Sequence, residues 1–457
     1  MKNPDEILKK GVEAPAELLD RTVTTMQSVT TVLPGNEMVK RTKDYWNMLG
    51  PGLTTGASDD DPSGIATYSQ TGAQFGFRFL WLAPLTFPLM AVVQEMCARI
   101  GLVTGRGLAG NIRIHFPKKI LIMCTVLLFA ANAFNIGADL GAMAKGVQLL
   151  NPKLNYGFLV VAFTFLSLLL QIFTPYVRYA RYLKWLAMVL LAYVFSALLA
   201  HLNWGQVLHQ TVVPHISFTK EQLFIVAAIL GTTISPYLFF WQTSQEVEEQ
   251  ILQGKITLRQ RSTAVSPKDV RSMRIDVWSG MFLSNLVMFF IIAACGGVLF
   301  AHGITNIHTT AEAAKALEPF AGRATYFLFA VGIIGTGMLA IPVLAGSSSY
   351  ALAESFRWRE GLYRNLKQAY AFYGTIIISM LVGLGINFIG LDPIKALLYA
   401  AVGNALVAPI VLALIIILGS NKKIMGRWVN GPVSKTIGWF ITAAMAASGI
   451  AAIISLF

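Results

Sequence analysis

The chain has 457 residues, 55% of them hydrophobic and 13% charged, with a formal net charge of +13. About a quarter of an ordinary soluble domain is charged, so the composition excludes a soluble enzyme or binding module. The basic excess fits loops that orient a membrane protein and calls for no nucleic-acid partner.

Residues 1–44 are polar and charged, show no leader-like pattern, and are expected to form a cytoplasmic tail. Apolar runs then recur to the end of the chain. They predict eleven spans, at 45–73, 78–103, 117–150, 156–174, 178–200, 221–248, 272–303, 323–353, 366–388, 393–419 and 434–457. With the amino terminus inside, 28 of the 36 Lys and Arg fall in inside regions and 7 in outside regions. That asymmetry sets the orientation and supports the span count. The loop over 249–271 reads as a polar cytoplasmic connector. Cys97, Cys124 and Cys295 all fall in apolar spans without metal-like spacing and read as packing residues.

The first span contains "GASDDDPSG" (56–64) and the sixth contains "GTTISPY" (231–237). Each runs from a Gly through a short polar stretch to a Pro, which removes a donor and disfavours helix just before it. Both spans are therefore expected to be two half-helices joined by an unwound turn, at Gly56–Pro62 and Gly231–Pro236. Paired interruptions at matching positions point to an inverted-repeat transporter with its site at the bilayer midplane. The expected fold is an all-α membrane protein of eleven transmembrane helices in a 5+5 inverted repeat. The first repeat covers 45–200, the second 221–419, and an additional helix 434–457.

Three acids, Asp59, Asp60 and Asp61, stand beside the first break. Each charge at mid-membrane costs about 2.5–3.5 kcal/mol on insertion scales, so their presence points to a cation. Asp61, next to the proline, is the expected ion ligand. Asp59 and Asp60 are left to bind backbone donors, line an aqueous vestibule or support the ligand from behind, the last fitting Asp60 best.

"GPGLTTGASDDDPSGIATYSQTGAQFGFRFLW" (50–81) resembles the first span of the NRAMP divalent-metal transporters, whose motif there reads Asp-Pro-Gly-Asn. "GTTISPY" takes the place of the family's sixth-span Ala-x-x-Met-Pro-His. "GLDPIKALLYAAVGNALVAPI" and "SNKKIMG" are similar to its tenth span and following loop. The resemblance covers about residues 45–430 and implies a metal site at Asp61, Gly64, Thr232, Ser235, Asp60 and Tyr237, with no resident cofactor.

The departures are informative. Gly64 stands where the family has an Asn ligand, Ser235 where it has Met, Thr232 where it has Ala, and Tyr237 where it has His. A thioether favours transition metals, so its loss removes a reason to reject hard ions. Mg2+ usually keeps several waters and binds through one or two carboxylates. The pattern resembles the prokaryotic NRAMP-related magnesium transporters, and that resemblance implies uptake of Mg2+, with Mn2+ accepted, by a monomer in the inner membrane.

Proton-coupled members of the family are implied to use acids on the third span and the sixth-span His. Here Asp139 is kept and Ala142 replaces the Glu. None of His115, His201, His209, His215, His302 and His308 lies mid-span, and the ninth span has no Arg pair. The expectation is therefore uncoupled transport. The rivals are a proton-coupled Mn2+/Fe2+ importer and an organic-solute transporter of the same fold; no nucleophile–base pair, zinc motif or phosphate loop suggests an enzyme.

Four further polar positions draw attention. Glu95 is expected to pair with Arg99 at i+4. Glu246 and Glu249 read as a solvated helix end, with lining of an exit path as the alternative. Asn404 is a candidate support for the site.

Overall fold

The computed structural model describes residues 45–455 apart from 47, 175, 201, 215–218, 264, 306, 308–309 and 391–392. The tail over 1–44 and His201, His215 and His308 lie outside the described residues. Among the described residues all regular structure is helical. In chain order it comprises α1 (Pro51–Asp59), α2 (Pro62–Phe75), α3 (Leu82–Thr104), α4 (Leu108–His115), α5 (Lys118–Leu150), α6 (Tyr156–Phe173), α7 (Tyr176–Leu186) and α8 (Leu191–Leu199). There follow α9 (Trp204–Val212), α10 (Lys220–Thr233), α11 (Pro236–Leu252), α12 (Leu258–Thr263), α13 (Pro267–Val298) and α14 (Thr310–Phe356). The last four are α15 (Tyr370–Ile386), α16 (Pro393–Gly419), α17 (Lys422–Met425) and α18 (Pro432–Ser455).

Among the described residues seven helical segments are long and apolar enough to cross a membrane, and an eighth counts if the bent pair Gly403–Gly419 and Lys422–Trp428 is one span. Helix also occupies the first, ninth and eleventh expected spans, as α1 with α2, α15 and α18. Eleven crossings therefore stay an expectation, beyond what length and composition establish.

Both expected breaks are present, and both are narrower than the sequence suggested. The first leaves only Asp60 and Asp61 between helices, because Pro62 starts α2 at its first position and the Asp61 side chain caps it. The second leaves Ile234 and Ser235, with Pro236 starting α11. The fifth expected span carries a 3-10 turn, Ala187–Leu190, between α7 and α8. The eighth runs over Gly322–Phe356, close to its expected bounds; the earlier part of α14 is a separate helix joined to it by a kink at Gly322, whose φ of +84° suits a residue without a Cβ.

The seventh span, α13, packs along both halves of the first. Its contact residues fall at multiples of four positions: Asp276, Gly280, Ser284, Ile292 and Gly296. A Cβ on Gly56 would stand 2.2 Å from the Gly280 backbone, and one on Gly280 would stand 2.0 Å from the Gly52 carbonyl oxygen. A Cβ on Gly72 would lie 2.6 Å from the Ile292 oxygen. Glycines thus let the two backbones meet along an i+4 ridge. Elsewhere the third span, α5, packs on α14, and α16 packs on α2, α5 and α10.

Away from this seam, Glu95 pairs with Arg99 at 3.5 Å as expected, and also with Arg274 at 2.9 Å and the Trp278 indole at 2.9 Å. The three cysteines are free and buried. The 249–271 connector is not a loose loop. It contains α12, and Arg261 donates to the Gly105 carbonyl at 3.1 Å. Beside it, a cavity of about 280 Å³ separates α11, the end of α14 and the loop carrying Glu360. Burial, aided by Glu354 and Glu248 against the pull of Arg113 and Arg261, lifts the Glu360 carboxyl from the usual 4.5 to about 9.

Two outcomes follow. Gly56→Ala should destabilise the detergent-purified protein by at least about 1–3 kcal/mol, the range for overpacking, read as a lowered melting temperature; an unchanged melt would mean that α1 and α13 do not touch here. Between pH 4.5 and 9 folded Glu360 holds a proton that the unfolded chain has released, so its contribution to stability falls as pH rises. Melts from about pH 6 to 9 should therefore show the wild type losing stability relative to Glu360→Gln.

Candidate functional site

The two breaks lie side by side. The Ser63 and Thr232 hydroxyls are 3.3 Å apart, the Tyr68 hydroxyl is 3.2 Å from that of Thr233, and the Tyr237 hydroxyl donates to the Ser58 carbonyl at 2.8 Å. Each bond ties the first span to the sixth.

The three acids differ in what they do. Asp61, 2% exposed, accepts from the Ser63 hydroxyl at 2.5 Å and the Gly64 N–H at 2.8 Å, all at Oδ1. Asp59 is fully buried; its Oδ2 accepts from Ser284 of α13 at 2.9 Å, while Oδ1 has no hydrogen-bond partner. Asp60 is fully buried with neither oxygen partnered. Its backbone ends α1, so the residue expected behind the ligand is the one with the most unsatisfied acceptor capacity. Asp139 of α5 is also fully buried with both oxygens unpartnered, and it lies close enough to Asp61 for their charges to interact. None of these four carboxylates has an ion pair among the described residues.

The remaining expected site residues come together at the same place. A Cβ on Gly64 would meet the Asp59 carbonyl oxygen and the Thr232 hydroxyl, both at 3.3 Å, so the position borders both breaks. Thr232 is buried beside Ser63. Ser235 turns back on its own helix, donating to the Thr232 carbonyl at 2.8 Å and the Gly231 carbonyl at 3.0 Å. Its oxygen keeps lone pairs for an ion, but its proton is committed. Asn404 of α16 is buried. Among the described residues no group of three or more His, Cys, Asp and Glu is placed to hold a bare metal ion.

Sequence reasoning missed Asp276. Its carboxylate accepts the N–H groups of Gly50 at 2.8 Å, Gly52 at 2.6 Å and Leu53 at 3.0 Å, satisfying the free donors at the start of α1. An acid inside the seventh apolar run was the available signal. Glu246 and Glu249 were read as a solvated end, with lining of an exit path as the alternative. Instead Glu246 is only 6% exposed, and both line a cavity of about 910 Å³ that opens beside Trp46, Gly50 and Lys184. This cavity stops short of the acids at the break.

A buried carboxylate cluster where two broken helices meet, in an all-helical apolar chain, is the architecture of an ion-carrying inverted-repeat transporter. The comparisons with known proteins agree. Residues 52–455 match the family model Natural resistance-associated macrophage protein-like, and the chain belongs to that Nramp family. Members are multi-pass membrane transporters, not enzymes. The chain is 26% identical over 402 residues to a divalent metal cation transporter MntH of Klebsiella pneumoniae subsp. pneumoniae, covering 87% of this chain and 91% of that one. It is 25% identical over 409 residues to the MntH of Caldanaerobacter subterraneus subsp. tengcongensis, covering 88% and 91%.

Among solved structures it resembles the Eremococcus coleocola manganese transporter, crystallised with an aromatic bis-isothiourea substituted compound. That match has a TM-score of 0.72 and 19% identity, covering 93% of this chain and 89% of that one. It also resembles Mhp1, a nucleobase-cation-symport-1 family transporter, with a TM-score of 0.58 and 16% identity, covering 89% and 91%. At these identities the likeness is one of fold, the LeuT-type arrangement of inverted repeats.

An unpaired buried carboxylate is a standing cost to the ion-free protein. Asp60→Asn should therefore raise the melting temperature in divalent-free buffer, by on the order of 1 kcal/mol. A lowered melt would instead make Asp60 a structural anchor.

Proposed function

We propose that this chain takes up Mg2+ across the inner membrane of a prokaryote, with Mn2+ also accepted. The ion travels partly hydrated, driven by the membrane potential and uncoupled from protons. The end of the molecule that carries Gly50 and the 910 Å³ cavity faces the cytoplasm. The carrying observation is Asp60, which presents two unpaired carboxylate oxygens close to the hydroxyls of Ser63 and Thr232. Hard oxygens suit Mg2+, and position 235 carries a hydroxyl in place of a thioether that would favour a softer ion. Gly64 brings no side-chain oxygen to the site, which leaves more of the ion's coordination to water.

The energetics allow it without coupling. A divalent ion entering down 100 mV gains about 4.6 kcal/mol, enough for roughly a 2,000-fold gradient. Tyr237 gives its proton to the Ser58 carbonyl, and a phenol does not titrate near neutrality as a His would.

A proton-coupled Mn2+/Fe2+ importer is the second reading. It is favoured by Asp139, unpartnered beside Asp61, and by the metal-transporting relatives.

Proteoliposomes carrying an internal pH dye decide between the two. Under an inside-negative potential the wild type should take up Mg2+ without acidification. Asp61→Ala should reduce uptake at least tenfold, and Gly64→Asn should lower Mg2+ uptake relative to Mn2+. Acidification that tracks influx would overturn the uncoupled reading, and full uptake by Asp61→Ala would overturn the site.

A further inference from the structure

The polar residues of α11 do not end at the break. Ser235, Gln242, Glu246, Glu249 and Gln253 recur at steps of seven, four, three and four, which places them on one face of the half-helix. The last three line the 910 Å³ cavity. One turn inward, Gln242 is fully buried; its amide donates to Glu246 Oε1 at 2.9 Å, and its own Oε1 has no partner. The stripe therefore presents, at the inner wall of a water-accessible cavity, a carboxylate backed by an unsatisfied amide oxygen.

Two other charged groups of the cavity wall are already committed. Asp276 is spent on three backbone N–H groups, and the Lys184 amine on the Trp46 and Leu49 carbonyls. Glu246, by contrast, accepts from a neutral amide, that of Gln242. It stands ten residues past Pro236, or about 15 Å along the helix from the break.

We propose that Glu246, backed by Gln242, forms a second cation site on the release path, holding a fully hydrated divalent ion through water after it leaves the acids at the break. Size supports the hydrated form: six waters at about 30 Å³ each occupy about 180 Å³, well within the cavity. So does chemistry, since Mg2+ gives up its waters reluctantly and among the described residues no group of three acidic, His or Cys ligands is placed to strip them. Glu246 receives the ion as it re-acquires its shell and keeps it from returning to Asp61. The site rests on the transport reading above.

The test counts Mn2+ bound to the purified full-length chain by equilibrium dialysis and electron paramagnetic resonance, alongside Mg2+ uptake in proteoliposomes. The wild type should show two classes of bound Mn2+, the weaker with the spectrum of a hydrated ion. Glu246→Gln, which keeps the shape and the Gln242 bond, should weaken that class at least tenfold and change the other less than twofold. It should also lower the maximal uptake rate several-fold at unchanged external KM. Asp61→Ala should remove the tighter class only, and Glu246→Asp should retain both. If Glu246→Gln leaves both classes intact, or the wild type binds a single ion that Asp61→Ala abolishes, the Glu246 site is overturned while transport stands. Two classes with these sensitivities but no uptake would overturn transport and uphold the site.

Discussion

The contact between the seventh span and the first fixes everything at the centre of this protein. One face of α13 offers an acid, a glycine and a serine at four-residue steps. Asp276 holds the free N–H groups that start α1, Gly280 lets the backbones touch at Gly52 and Gly56, and Ser284 donates to Asp59. The helix that must stop at mid-membrane is gripped at its beginning, its middle and its end. Without that grip, two residues of unwound chain would have little to define their geometry.

What the grip presents is an electrostatic deficit. Asp59, Asp60, Asp61 and Asp139 are buried together with no ion pair among the described residues. A divalent ion brings two charges, so the cargo is also the missing counter-charge of the fold. Asp61 is partly spent on the α2 cap, which explains why an Asp precedes the proline on structural grounds alone. Asp61 is thus occupied in starting a helix, which leaves Asp60 as the less encumbered carboxylate.

Features that depend on local sequence were legible before the structure. Pro62 and Pro236 located both breaks, the Glu95–Arg99 spacing gave an ion pair, and the three acids fall where the first break was expected. Features set by residues far apart in the chain were not. Asp276 meets Gly50 across more than two hundred residues, and periodicity within α13 cannot reveal what its acid will cap. Glu246 sits near the end of an apolar run, where an exposed end was the natural reading; only packing shows that a cavity reaches it from inside. The direction of the Ser235 hydroxyl, back onto its own helix, is likewise a rotamer choice that residue identity does not dictate.

Lys184 carries a consequence for motion. Its ammonium grips the carbonyls of Trp46 and Leu49, just ahead of the first half-helix, and rests over the Trp46 ring at 4.5 Å. Parting an ammonium from carbonyls costs little only where water can take their place, and Lys184 lines the cavity that would supply it. The contact between α1 and α7 is therefore one that solvent can loosen without leaving a buried charge bare.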